Sequence, residues 1–138
     1  MKILVTDDSK EYRDLIITLI RQFEARETIE IDEANSIEKT LDKLNSNNYN
    51  AIILDLNLPK STGLTTVKTV SNYLKEINKD MPIIVLTGVD DYEIGRKAWD
   101  LGVKDFLIKD EIHPQDLLRA LNFANIDNKN LKKRSVLV

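Results

Sequence analysis

The chain has no cysteine, one histidine, one tryptophan, four glycines and three prolines in 138 residues. Without cysteine there is no disulfide framework, no thiolate metal site and no redox pair, so the fold stands on its core alone. No apolar run approaches the roughly 18 to 20 residues needed to cross a bilayer. The opening Met1-Lys2-Ile3-Leu4-Val5 is ended at once by acids and is too short for a secretory apolar core. Net positive charge is lacking too, since 20 Lys and Arg stand against 23 Asp and Glu for a net charge of −3. That argues against a domain-wide footprint for nucleic acid and leaves one basic cluster, Lys129, Lys132, Lys133 and Arg134. The chain is therefore read as soluble and cytoplasmic, with no direct nucleic-acid partner and no membrane.

What is present is the balance of a globular protein, with 42% hydrophobic and 31% charged residues. The length fits one domain with a short tail. Short β-rich runs alternate with segments of helical period, which argues for βαβ units and a mostly parallel sheet. Residues 2–6, 51–55 and 82–87 are continuous apolar runs, as expected of central strands covered on both faces, and 104–108 is a shorter one. Residues 28–34 alternate apolar with polar, the pattern of a strand at the sheet edge.

Tyr12, Leu15, Ile16, Leu19, Ile20 and Phe23 form one apolar stripe of a helix over about residues 9 to 25, with Asp8 or Ser9 as its cap. A second helix starts at Ser36, a third carries Leu64, Val67, Val70, Leu74 and Ile77, a fourth runs from Tyr92 to Leu101, and a fifth from Pro114 to about Ala124. Trp99 is expected to be partly buried on the fourth. His113, directly before Pro114, falls in a loop. Right-handed crossovers between these elements give an open, doubly wound α/β sheet whose ligand site lies outside the carboxyl ends of the strands.

The unusual polar residues lie at those ends. Asp7 and Asp8 follow the first strand, Asp55 ends the third, Thr87 ends the fourth and Lys109 follows the fifth. Carboxylates held together repel one another unless a cation relieves them, so a divalent ion is expected. All-oxygen ligation favours Mg²⁺ or Mn²⁺ over Zn²⁺. A carboxylate beside such an ion can attack phosphorus while the metal and a lysine neutralise the equatorial oxygens and Thr87 donates its hydroxyl to one of them. Gly88 keeps the approach open.

These motifs resemble one family, the receiver domain of two-component response regulators. The resemblance rests on Asp7-Asp8, on Leu54-Asp55-Leu56-Asn57-Leu58-Pro59 with Gly63, on Leu86-Thr87-Gly88, and on Lys104-Asp105-Phe106-Leu107-Ile108-Lys109. It covers residues 1–125 and leaves 126–138 as a basic C-terminal tail or the start of a linker. It implies a flavodoxin-like (βα)5 fold with five parallel strands in the order 2-1-3-4-5. It further implies that Asp55 accepts a phosphoryl group from a phosphohistidine on a sensor histidine kinase or histidine phosphotransfer protein. Asp8 and Asp55 would bind Mg²⁺ directly, Asn57 through its backbone carbonyl and Asp7 through water, with Lys109 on the phosphoryl oxygen.

Thr87 and Phe106 would form a switch pair acting on the face of the fourth helix, fifth strand and fifth helix. Asn57 and Val89 would flank the route of hydrolytic water. The resemblance thus implies a signalling phosphoacceptor, catalysing only its own phosphorylation and dephosphorylation, monomeric or dimerising on phosphorylation. Three positions depart from the family: Asp110 stands where proline is usual, Gly88 where alanine is more frequent, and Phe106 lacks a hydroxyl. The first puts a cis peptide after Lys109 and the shape of the 109–114 loop in question.

Other classes fit less well. A histidine phosphotransfer module needs its histidine in mid-helix, and nucleotide-binding enzymes need a phosphate-cradling glycine loop that is absent here. An acid-metal phosphatase would carry a second acid two residues after the nucleophile, where this chain has Asn57. A phosphorylation-independent docking module is the remaining alternative. The signal is expected to leave through a downstream effector protein or an output domain outside this chain, and both a stand-alone receiver and a piece of a larger protein remain open.

Overall fold

In a computed structural model, which describes residues 1–22, 28–88 and 92–123, five parallel strands form one sheet. The strands are β1 (Lys2–Thr6), β2 (Glu30–Ala34), β3 (Ala51–Leu54), β4 (Ile83–Thr87) and β5 (Asp105–Ile108), in the order β2-β1-β3-β4-β5. The helices between them are α1 (Lys10–Arg21), α2 (Ile37–Ser46), α3 (Leu64–Glu76) and α4 (Tyr92–Asp100). The chain is helical again over 114–123 (α5). This is the expected doubly wound, flavodoxin-like sheet, with the alternating segment at its edge as β2. Phe23, Val89, Ala124, the basic cluster and the rest of 126–138 lie outside the described residues, as does the side chain of Tyr92.

The continuous apolar strands serve two cores, because successive side chains of a strand point to opposite faces. Leu4, Ile52, Leu54, Ile83 and Val85 face α2, α3 and α4, where they meet Leu44, Val67, Val70, Leu74 and Ala98. Ile3, Val5, Ile53, Ile84 and Leu86 face α1 and α5, meeting Ile16, Ile20, Leu117 and Leu121. Each fully buried Ile or Leu contributes about 1.5–3 kcal/mol, which fixes the sheet and so the strand ends that carry the polar residues.

Helix ends are tied by side chains and glycine. Ser9 caps α1 by accepting the Tyr12 N–H at 3.2 Å, and Ser36 caps α2 by accepting that of Lys39 at 3.2 Å. α4 closes with Gly102 at φ 91°, the Val103 N–H returning to the Ala98 carbonyl and that of Gly102 to Trp99. Glycine takes this left-handed closure at the least cost, and asparagine is the residue that tolerates it next best. α3 closes in the same way through Asn78, at φ 58°, and this turn delivers Lys79 to the C-terminus of α2. The Lys79 ammonium there donates to the carbonyls of Leu44 (2.7 Å), Asn45 (3.3 Å) and Asn47 (2.9 Å). Those groups are left without partners by the end of a helix, where the dipole also favours a cation.

Two side chains are more exposed than the sequence reading has them. Leu15, assigned to the apolar stripe of α1, is 48% exposed, and Trp99, expected to be partly buried, is 52% exposed. Both sit on flanks of amphipathic helices where the apolar arc is wider than the surface it covers. His113 is exposed in the loop before α5 as expected, its N–H donating to Asp116 Oδ2 at 3.0 Å.

At the opposite end of the sheet from the strand carboxyl ends, the buried Tyr49 hydroxyl donates to Asp32 Oδ2 at 2.7 Å. Burial, and then the bond to that carboxylate, push the phenol well above its ordinary value. The protonated phenol is therefore retained by the native state after the unfolded chain has released it. Stability from this pair is fully present below about pH 10 and falls as pH rises beyond it. We predict that Tyr49→Phe removes part of the alkaline loss of stability between about pH 10 and 11, as read by thermal unfolding. Lys79→Met is expected to lower unfolding stability by about 1–2 kcal/mol, and an unchanged urea midpoint would refute the capping role.

Candidate functional site

The carboxyl end of β1 runs directly into the site. Asp7 donates its N–H to the Ala34 carbonyl of β2 at 3.1 Å, and its Oδ1 accepts the Ser9 N–H at 2.9 Å. That second bond forms the tight turn into α1. Asp55 follows β3 and donates its N–H to the carbonyl (3.2 Å) and hydroxyl (3.3 Å) oxygens of Thr6, while its Oδ1 accepts the Asn57 N–H at 3.2 Å. Both carboxylates are buried, at 1% and 4% exposure. Asp8 is exposed beside them.

The loop after β3 is held by its own chemistry. Pro59 and Lys60 occupy a turn closed by the Ser61 N–H on the Leu58 carbonyl, with Lys60 at φ 64°. Gly63, at φ 61° and ψ −140°, a region closed to other residues, donates to the Leu56 carbonyl at 3.0 Å and opens α3. Thr66 Oγ1 donates to the same carbonyl at 2.9 Å and lies 2.8 Å from Ser61 Oγ. The loop that presents Asp55 and Asn57 is thus anchored at both ends.

Lys109 enters from the far side of the sheet. Its ammonium donates to Asp7 Oδ2 at 2.6 Å and to Asp55 Oδ2 at 3.4 Å. Burial alone would push the lysine down, but the bond to Asp7 and the charges of Asp55 and Asp7 outweigh it and raise it. The ammonium therefore stays charged. Asp55 is raised by burial first, against the lowering effects of the Asn57 N–H and Lys109, with Asp7 adding to the rise. Two buried acids share one cation.

Asp7, Asp8 and Asp55 each bring a carboxylate oxygen within 4.8 Å of the others. Three carboxylates against one ammonium leave two negative charges uncompensated, the charge of one divalent ion. The donors are all oxygen, which suits a hard cation of the magnesium class. Asn57 is exposed next to this cluster, with its N–H already committed to Asp55.

Thr87 is fully buried at the end of β4, opposite Ile108 in the register, so it lies one strand inward from Lys109. Phe106, opposite Val85, packs half-buried against α4, its ring carbons 3.5–3.8 Å from where a Cβ on Gly95 would lie. A Cβ on Gly88 would meet open space and its φ is not in the left-handed region, so alanine would fit there too. After Lys109 the chain makes a single 3-10 turn, Lys109–Glu111, and no cis peptide bond occurs among the described residues.

Sequence reasoning missed two residues of α1. Arg13 Nη1 donates to the Asp7 carbonyl at 2.7 Å while its Nε pairs with Glu33 Oε1 at 3.0 Å. Tyr12 lays its ring under the Lys109 ammonium, 4.2 Å from the centroid, and donates its hydroxyl to the Lys109 carbonyl at 3.3 Å. The only available signal was position, both falling in the first turn of the helix that starts at the acids.

A family model for the response regulator receiver domain matches residues 3–122. Among curated proteins, the chain is 29% identical over 144 aligned positions to the transcriptional regulatory protein ResD of Bacillus subtilis, covering 99% of this chain and 56% of that protein. It is 32% identical over 108 positions to the transcriptional regulatory protein SrrA of Staphylococcus aureus, covering 78% and 41%. The chain thus spans about half the length of these relatives. Among solved structures, a response regulator receiver domain protein from Clostridium thermocellum superposes with a TM-score of 0.78 at 29% identity, over 94% of this chain and 98% of that one. With a family match that runs from β1 into α5 and a sheet in the order 2-1-3-4-5, the chain belongs to the receiver domain family of two-component response regulators.

Proposed function

We infer that Asp55 is the phosphoacceptor of this receiver and that a divalent cation, Mg²⁺ or Mn²⁺, assists the transfer. The observation that carries this reading is the single ammonium of Lys109 shared between buried Asp7 and Asp55, with Asp8 beside them. An Asp55 oxygen attacks phosphorus, the P–N bond of a donor phosphohistidine breaks, and the imidazole leaves with the electron pair and takes up a proton. The donor is a sensor histidine kinase or a histidine phosphotransfer protein.

Asp7, Asp8, Asp55 and the Asn57 carbonyl would hold the cation, which when bound neutralises charge building on the phosphoryl oxygens. Lys109 supplies the second positive charge, already aimed at Asp55. Burial of Asp55 keeps water from solvating its charge, so the carboxylate gains more from these cations than an exposed one would. Thr87, at the neighbouring strand end, donates its hydroxyl to a phosphoryl oxygen, and Phe106 turns with it to alter the α4–β5–α5 face read by an effector protein or output domain. Retention of all three acids and the lysine speaks against a docking module that works without phosphorylation.

Intact-mass measurement after incubation with acetyl phosphate is expected to show one phosphoryl adduct that requires Mg²⁺, is lost on chelation and is lost in Asp55→Asn. No adduct under any condition would refute the phosphoacceptor role. The same substitution tests the electrostatics. Because the folded-state value of Asp55 lies above its ordinary one, the native state holds the proton longer than the unfolded chain, and its stability drops as pH rises through that window. In chelator, Asp55→Asn is expected to unfold at a higher temperature than the native chain at pH 7, with the gain shrinking toward about pH 4.

A further inference from the structure

Lys109 is a long side chain with four rotatable bonds, and the residue after it is Asp110, which places no ring against its backbone. A proline at 110 would have confined the backbone of residue 109, and Asp110 does not. Yet the ammonium must sit within hydrogen-bond reach of two buried carboxylates. Something else has to hold this residue.

Tyr12 does so at both ends. Its hydroxyl donates to the Lys109 carbonyl at 3.3 Å, which fixes the backbone at the start of the 3-10 turn, and its ring faces the ammonium at 4.2 Å. Tyr12 is itself fixed, since its N–H is the one that Ser9 Oγ caps at 3.2 Å, and its ring packs in the core layer of α1 and α5. The phenol remains protonated and able to donate, because burial raises it more than the nearby ammonium lowers it. Ring and ammonium attract through the ring quadrupole, and more strongly where solvent is partly excluded. Lys109 is 15% exposed in its side chain.

We propose that Tyr12 is a positioning residue for phosphoryl transfer, clamping Lys109 by its carbonyl and its ammonium so that the cation is already aimed when the phosphoryl group arrives. This rests on the phosphoacceptor reading of the same site. The ring supplies most of the effect, acting on the charged end, and the hydroxyl steadies the backbone.

The test uses the full chain with Tyr12→Phe and Tyr12→Leu. In proton NMR, the Lys109 ε-methylene signals, identified by their disappearance in Lys109→Arg, are expected to be shifted upfield by the ring in the native chain and in Tyr12→Phe, and to return to ordinary values in Tyr12→Leu. With acetyl phosphate and Mg²⁺, Tyr12→Leu is expected to be phosphorylated about 2- to 30-fold more slowly, Tyr12→Phe to recover most of that loss, and Mg²⁺ affinity by calorimetry to stay within about twofold in both. Unshifted ε-methylene signals in the native chain overturn the clamp, whatever the phosphorylation result. So does a Tyr12→Leu chain that reacts at the native rate, or a loss of Mg²⁺ affinity matching the loss of rate in both variants. A native chain that shows the shift but takes no phosphoryl group overturns the phosphoacceptor reading, and the positioning role with it.

Discussion

The site depends on one ammonium serving two buried carboxylates. Lys109 leaves β5, at one edge of the sheet, yet its partners follow β1 and β3, so its side chain spans the end of β4 to reach them. That reach is possible only because the strands are parallel and in register, with their carboxyl ends level. Antiparallel pairing of any of these strands would send one of the charges to the other end of the molecule. The apolar runs of β1, β3 and β4, buried on both faces, are what hold the register.

Burying two acids against one base is unfavourable taken alone. Desolvation exceeds what the lysine returns to Asp55, which is why that carboxyl is raised despite an ammonium at 3.4 Å. Protein folds accept such a deficit where a bound charge completes the balance. The neighbouring backbone is correspondingly over-determined: Asp7 is held through its N–H by β2, through its carbonyl by Arg13 and through both carboxylate oxygens. The first turn of α1 thus steadies both halves of the ion pair, Arg13 on the acid and Tyr12 on the base.

Much of this was legible in the sequence because each reactive residue directly ends an apolar run. In a parallel sheet that placement alone brings Asp7, Asp8, Asp55, Thr87 and Lys109 to one edge. Ser36 as a cap, Asp8 or Ser9 as the cap of α1 and Pro114 at the start of α5 were legible because capping is local chemistry between residues close in the chain. Tyr12 and Arg13 were not. Helical periodicity puts Tyr12 on the apolar stripe of α1, where it does pack, and says nothing about a hydroxyl that reaches a residue 97 positions away. Lys79 escaped in the same way, since its three acceptors belong to another helix. The exposure of Leu15 and Trp99 depends on how far neighbouring helices wrap, which a single helix's pattern does not encode.

The thinly covered edge beyond β4 is where the proposed signal has to leave. β4 is buried along its whole length, whereas every residue of β5 is only partly covered. The helix over that strand, α4, is nine residues long and carries Gly95 in its interior, a residue that weakens a helix by about 1 kcal/mol relative to alanine. The ring of Phe106 lies against that glycine. Three residues further on, directly after the strand, comes Lys109, so the strand that leads to the lysine on the acids also packs against this glycine-bearing helix. A rigid β5 packed on a long, glycine-free α4 would absorb a change at the acids without altering the surface. A thinly covered strand under a short, weakened helix can settle into a second arrangement at small energetic cost, which is the condition a two-state response requires.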